Sequence, residues 1–392
     1  MPVERYNNNM PNAVARSFVV ALLVCTSTGT VAAQELHAPV TVYENVSIAN
    51  INHAIFVRRG STSARIVDGV FTAAPKIDAI PKTLTIATNT FCDAPVPSGN
   101  VTFTFNQLNA RLANVDAYEL HKQKKYAESK AAFAKALALD PSNRTIAVNL
   151  ASAQQLLGQP SDAVKTLAPW LSSEPIAMYA IVAGDPELAP LVTRPELAAL
   201  KAKTAGTAVV SATGLKGAVA FAKDTNLLAV ERHECDWGTG VAKANACAAH
   251  IELFDASGKR LASLPLANFD GANQARNAQR RLVAQAVLRD LGFDAESVIH
   301  GKATATASDR EQLKAKFALA SLKLGVVGSN GVARVLRGNK LVVETPTLER
   351  LLAVDWAPNA KAFIFHSGRF GSEVCETTDP TRVDVVPAPA SN

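Results

Sequence analysis

The spacing of apolar side chains changes period twice along the chain. Between residues 35 and 106, short runs rich in Val, Ile, Thr and Phe are separated by Gly, Pro, Asn and Asp. That punctuation predicts strands at 40–46, 54–58, 64–71, 84–88 and 101–105. Residues 100–106 alternate cleanly, with Val101, Phe103 and Phe105 on one face. Around Leu108 the period lengthens to about 3.6, predicting four helices at roughly 109–123, 126–139, 145–157 and 161–173. Pro141 stops the second. Gly158 closes the third, where a left-handed residue costs glycine little, and Pro160 opens the fourth, where a missing N–H is harmless. Stretches 175–182 and 194–204, joined through Asp185-Pro186 and Arg194-Pro195, read as capping helices.

From about Gly206 the two-residue period returns. Strands are predicted at 227–234 and 249–254, and Asp255-Ala256-Ser257-Gly258-Lys259 is a tight-turn signal leading into 260–266. An amphipathic helix at 272–291 closes at Gly292. Strands at 319–327, 332–336 and 340–345 follow, with Asn330-Gly331 and Gly338-Asn339 as hairpin turns. A strand at 362–366 comes next, and the last dozen residues, rich in Pro and Ala, read as a tail. The region holds a faint echo: Lys223-Asp224-Thr225-Asn226 and Pro358-Asn359-Ala360-Lys361 each lead into an apolar strand. The whole predicts an α+β fold, a short helical array flanked by N- and C-terminal β-rich domains. The expected organisation is a leader at 1–33, a β-rich segment at 34–107, helices with caps at 108–205, a β-rich domain with one amphipathic helix at 206–385, and a tail at 386–392.

The run Lys124-Lys125-Tyr126-Ala127-Glu128-Ser129, continuing through Phe133, Ala136, Leu137, Leu139, Asp140, Pro141 and Asn143, resembles the second half of a tetratricopeptide repeat. In that family a large aromatic and small alanines interlock two antiparallel helices, and a proline ends the second. Tyr126, Phe133, Ala136 and Pro141 fill those positions. The preceding helix, with Ala117, Leu120 and Lys124, departs from the pattern by lacking the usual glycine turn, and Ser129 stands where alanine is more typical. Asn149-Leu150-Ala151 through Leu157, Gly158 and Asp162-Ala163 resembles the start of a second unit. Tyr118 to Ser152 and Lys124 to Gly158 are each 34 residues apart, the length of this repeat. The resemblance covers about one sixth of the chain. It implies a concave groove for a peptide or protein partner, lined by the first helix of each pair. The contacts so implied are Asn114, Glu119 and Lys122 in the first unit, and Asn149 and Gln154 in the second. Two repeats cannot bury both their ends, so flanking segments must cap them.

Composition narrows the function classes. With 48% hydrophobic and 19% charged residues, the 392-residue chain is too apolar for general disorder and long enough for two or three domains. The net charge of +6 is small, and no dense basic run interleaves with aromatics, so nucleic acid is not an expected partner. Arg16, the apolar run 18–25, and Val31-Ala32-Ala33 before Gln34 have the layout of a secretory signal peptide. That run is short of the roughly 20 apolar residues a membrane span needs, and no other segment qualifies. The expected location is therefore periplasmic or secreted.

Removing residues 1–33 leaves Cys92, Cys235, Cys247 and Cys375, an even number that suits two disulfides. Residues 227–235 and 247–254 are expected to pair antiparallel and bring Cys235 and Cys247 together, which leaves Cys92 and Cys375 for each other. His233, Cys235, Cys247 and His250 could in principle hold zinc, but their intervals match no zinc hook, so no metal or other cofactor is expected. The chain has no GxSxG elbow, P-loop, HExxH or dinucleotide fingerprint, and no catalytic residue is assigned. The leading expectation is an exported interaction or scaffolding module. Its rivals are a hydrolase-type enzyme in the C-terminal β domain, near His233, Asp236 and His366, and a purely structural envelope component. Oligomeric state is not encoded in any of these patterns.

Overall fold

A computed structural model describes residues 37–43, 45–51, 54–68, 70–71, 73–78, 82–89, 99–211, 214–215, 219–235, 247–268, 274–306, 314–348, 350–368 and 381–389. The leader, Cys92, Asp236 and Cys375 lie outside the described residues, as do the side chains of His233, Cys235 and Cys247. The chain divides into two units, one ending at Ala168 and the other beginning at Pro169.

In the first unit, β1 (His37–Tyr43), β2 (Val46–Ile51), β3 (Ala54–Arg59) and β4 (Thr62–Asp68) form an antiparallel meander. A single strand at 40–46 is not what forms. Tyr43 pairs with Val46 across a tight turn containing Asn45, a residue whose short polar side chain suits turns, and β2 continues from there. β5 (Val70–Phe71), β6 (Lys76–Asp78), β7 (Thr83–Asn89) and β8 (Gly99–Thr104) make a second sheet centred on β7. The expected strand at 64–71 is shared between β4 and β5. Ile48, Ile55, Val57, Leu84 and Ile86 form the core beneath Phe105, Leu108 and Leu112 of helix α1 (Phe105–Lys122).

That helix begins four residues before its expected start. Thr104 Oγ1 accepts from the Gln107 N–H at 3.1 Å, and Gln107 Oε1 accepts from the Thr104 N–H at 2.9 Å. This reciprocal capping box satisfies two donors that a helix start leaves open. Phe105, expected on a strand, therefore opens the helix and still reaches the core. Asp116 ties α1 to the meander, accepting from Arg59 Nη2 at 3.0 Å and Thr62 Oγ1 at 2.9 Å. Helices α2 (Tyr126–Leu139), α3 (Arg144–Leu156) and α4 (Pro160–Ser173) stand where the periodicity places them.

The second unit starts with the end of α4 and continues through α5 (Pro175–Gly184) and the short α6 (Pro195–Ala198). The helix expected over 194–204 is thus only one turn. Beyond it the backbone bonds elsewhere: the N–H groups of Ala202, Gly206 and Ala208 donate to the carbonyls of Asp290, Arg289 and Phe293. A Cβ on Gly206 would lie 2.1 Å from the Phe293 carbonyl oxygen, so only glycine permits this close pass. β9 (Val210–Ser211) and β10 (Gly214–Leu215) form a small ladder.

β11 (Val219–Ala222), β12 (Leu227–Cys235), β13 (Cys247–Phe254) and β14 (Arg260–Asn268) follow, then α7 (Gln274–Asp290) and β15 (Asp294–Ala295). They assemble as a sheet of order β14-β13-β12-β11-β15. Cys235 stands directly opposite Cys247 in its register. Buried Tyr179 on α5 donates to Asp290 Oδ2 at the end of α7, at 2.5 Å. Burial, then that bond and the Asp290 charge, push the phenol far above its ordinary value.

The remaining strands are β16 (Ile299–His300), β17 (Lys302–Ala303), β18 (Ala315–Leu319), β19 (Leu324–Ser329), β20 (Val332–Arg337), β21 (Lys340–Pro346), β22 (Arg350–Ala357), β23 (Ala362–Gly368) and β24 (Thr381–Pro387). Two expectations are corrected here. The strand expected at 319–327 is broken by a 3-10 turn, Ala320–Leu322, and by Lys323 in the left-handed region at φ 54°, so it belongs to two strands of a hairpin. The expected tail contains β24, whose Val383 and Val385 are buried against the neighbouring sheet.

Sheets β17-β18-β19-β20-β21 and β16-β22-β23-β24 share one core, where Leu324, Val326 and Val335 meet Val354, Phe363 and Phe365. The opposite face of the second sheet, with Ala362, Ile364 and Val385, packs on Val219, Leu228 and Val230 of the β11–β15 sheet. Sheet β16-β22-β23-β24 is thus a middle layer, apolar on both faces. That explains why β23 reads as a continuous hydrophobic run rather than an alternating one. The sequence echo falls on corresponding hairpin turns of two packed sheets. Each turn ends on a left-handed residue, Asn226 at φ 51° and Lys361 at φ 49°.

Candidate functional site

The helical surface is built on alanine. Ala117, Tyr118, Phe133, Leu150 and Ala153 form one cluster, and Ala110, Ala136 and Ile146 another. Small side chains let α1, α2 and α3 approach closely, while Phe133 fills the space between them without exposure. Ser129, in the position where alanine is more usual, is fully buried, and its hydroxyl donates to the Tyr126 carbonyl at 3.1 Å.

Helices α1 and α3 end in the same way, 34 residues apart. After α1, the Lys124 N–H donates to the His121 carbonyl at 2.8 Å and the Lys125 N–H to the Leu120 carbonyl at 3.0 Å. After α3, the Gly158 N–H donates to the Gln155 carbonyl at 3.0 Å and the Gln159 N–H to the Gln154 carbonyl at 2.9 Å. Both are Schellman turns, which need a left-handed residue at their centre. Gly158 has φ 71°, and Lys124 adopts φ 62° in the place where the resemblance lacked its glycine. The turn is therefore made without the residue that normally signals it.

The five residues implied as partner contacts fall into three settings. Asn149 Nδ2 donates to Asn114 Oδ1 at 2.9 Å, so these two are brought together across α1 and α3. Asn149 is only 3% exposed, and its Oδ1 is buried with no hydrogen-bond partner. Glu119 and Lys122 pair with each other at 2.6 Å on the exposed side of α1, and the Lys122 ammonium lies 5.7 Å from the Tyr118 ring centre. Gln154 Oε1 accepts from Thr166 Oγ1 at 2.9 Å and so links α3 to α4. Sequence reasoning missed Arg111, one turn before Asn114. Burial lowers its pKa, the Asp140 charge opposes that, and its Nε is buried without a partner. A lone Arg on an otherwise apolar helical stripe was the available signal.

In the second unit, His366 and His300 both meet Asp355, and the side chain of His233 lies outside the described residues. Asp355 Oδ1 lies 2.8 Å from His300 Nδ1, and its Oδ2 lies 3.3 Å from His366 Nε2. All three sit on adjacent strands of the middle sheet, with His300 directly opposite Asp355. Burial would raise the Asp355 carboxyl, but hydrogen bonds and charge from both imidazoles outweigh it and hold the carboxyl below its ordinary value. Among the described residues, no group of three or more His, Cys, Asp or Glu side chains is arranged to hold a metal ion.

Residues 120–183 match the tetratricopeptide repeat, from the last turn of α1 into α5. The rest of the chain is unassigned. No curated protein and no solved structure matches it. Among the described residues, no helix is long and apolar enough to cross a membrane.

Proposed function

We propose that this chain is an exported protein-interaction module that holds a peptide or protein segment against the half-exposed Glu119–Lys122 side of α1. The observation that carries the reading is the pair of matched Schellman turns, 34 residues apart, within the segment that matches the tetratricopeptide repeat. Such repeats act as recognition surfaces because stacked helix pairs curve into an extended concave face.

The Glu119–Lys122 pair is half exposed, and exposed ion pairs contribute only about 0–1 kcal/mol. Either charge can therefore be transferred to a partner at little cost to the fold. Asn114, set by Asn149, and Arg111 behind it add polar selectivity along the same helix. Export rests on the signal-like N-terminus, and it would let Cys235 and Cys247, opposite each other in the ladder, close as a disulfide.

A photo-crosslinking side chain placed at Lys122, and separately at exposed Lys135 on α2, tests the surface in the producing cell. A discrete partner captured from position 122 and lost on exchanging the charges (Glu119→Lys with Lys122→Glu) is expected. Capture from position 135 alone would place binding elsewhere. Mature protein recovered with Gln34 at its N-terminus, carrying a Cys235–Cys247 peptide under non-reducing conditions, is the expected outcome for export.

A further inference from the structure

The second unit contains a cavity of about 330 Å³ at the end of the two packed sheets where three hairpin turns meet. The turns are those joining β11 to β12, β13 to β14 and β22 to β23. The floor is apolar: Leu228, Ala362 and Val385 are buried there, and half-buried Phe221 forms a wall. The rim is polar and carries Asn226, Asp255, Asn359 and Lys361.

Asp255 and Lys361 bear opposite charges on one cavity, yet no ion pair joins them. Asp255 Oδ1 accepts all three bonds of its own turn, from the Ser257 N–H at 2.8 Å, the Ser257 hydroxyl at 2.6 Å and the Lys259 N–H at 3.0 Å. Its Oδ2 takes none of the turn's bonds. The rim is also fixed in place. Glu296 Oε1, from behind, accepts the Asn359 N–H at 2.7 Å. Gly258 presses its turn onto β24, where a Cβ would lie 1.9 Å from the Val385 carbonyl oxygen.

We propose that this cavity binds a small zwitterion with an apolar side chain, an α-amino acid of leucine or phenylalanine size. Lys361 takes its carboxylate, Asp255 Oδ2 its ammonium, and Phe221 with Leu228 its side chain. A simple anion would meet the Asp255 charge, and a simple cation the Lys361 charge. A molecule carrying both charges at fixed separation satisfies each. The volume is at the low end of small-molecule sites, about 300–1,000 Å³, and accommodates a molecule of this size.

Titration calorimetry of the full chain with L-leucine and L-phenylalanine tests this, with N-acetyl-L-leucine and L-leucinamide as probes lacking one charge. One saturable site is expected for the free amino acids, weakened about tenfold or more when either charge is blocked, as loss of a charge-assisted bond requires. Asp255→Asn keeps the turn's acceptor oxygen and removes the charge, and Lys361→Asn suits the left-handed backbone. Each is expected to weaken binding to the same degree. No saturable heat at millimolar probe overturns the proposal, and so does equal binding of the blocked probes to the unaltered chain, a comparison that requires no variant to fold.

Discussion

Replacing Lys124 by glycine should make the first unit more stable, although it removes a charged side chain and adds nothing to the core. Lys124 is held at φ 62° by the Schellman turn between α1 and α2. A side chain in that region brings Cβ against the following carbonyl, at a cost of roughly 1–2 kcal/mol that glycine escapes. Glycine gives back part of this, about 0.5–1 kcal/mol, because it loses more chain freedom on folding. Lys124 is exposed, and its ammonium makes no ion pair among the described residues, so little else is lost. The net expectation is a gain of about 0.5–1 kcal/mol, or roughly 1–4 °C in the unit's midpoint. Urea titration followed by helical circular dichroism reads the change directly. Gly158→Ala supplies the mirror experiment, since its φ of 71° imposes on alanine the strain that Lys124 now carries. If Lys124→Gly left the midpoint unchanged or lowered it, the idea that this turn is strained would fail.

Four further outcomes follow from the same geometry. Phe133→Ala empties the space between α1, α2 and α3 and should destabilise by about 3–5 kcal/mol, seen as a lost urea transition. Tyr179→Phe removes a bond to a carboxylate and should cost about 1.5–3 kcal/mol in the second unit, measured by thermal unfolding. Asp355 has a folded pKa below its unfolded value of about 3.9, so its contribution is complete above that pH and disappears as pH falls through the lower folded value. Asp355→Asn should flatten that acid limb, and a variant that retained the full loss below about pH 4 would refute the assignment. Glu296 is the opposite case: burial raises it, two backbone N–H groups pull back only partly, and its charge opposes folding above the unfolded pKa. Glu296→Gln keeps an acceptor for Asn359 and should raise the neutral-pH midpoint while leaving that at pH 3 nearly unchanged.

The helices were legible because their signals are local. Pro141, Gly158 and Pro160 mark boundaries within two residues of where α2 and α3 end and α4 begins. The start of α1 was misread because Val101, Phe103 and Phe105 alternate straight into the helix, and only the Thr104–Gln107 capping pair marks the change. Lys323 hid a turn, since lysine carries no turn signal even where a local hydrogen bond holds it left-handed. Strand β24 was hidden by its Pro- and Ala-rich surroundings, and its burial depends on sheets far away in sequence. The same distance kept the cavity out of view. Asn226, Asp255 and Lys361 belong to three separate turns, and nothing in the sequence shows that those turns converge. The echo between 223–226 and 358–361 was the one hint, and it lacked a geometry.

The middle sheet has a bearing on how the second unit is made. Its strands β22, β23 and β24 leave the ribosome after those of both neighbours. Until they arrive, Leu228 and Val230 on one side, and Leu324 and Val326 on the other, have only water to face. The unit therefore cannot close progressively from its beginning. It closes when late-made strands slide between layers already waiting, and a chain cut short before Thr381 would leave Leu228 and Val230 without the cover of Val383 and Val385.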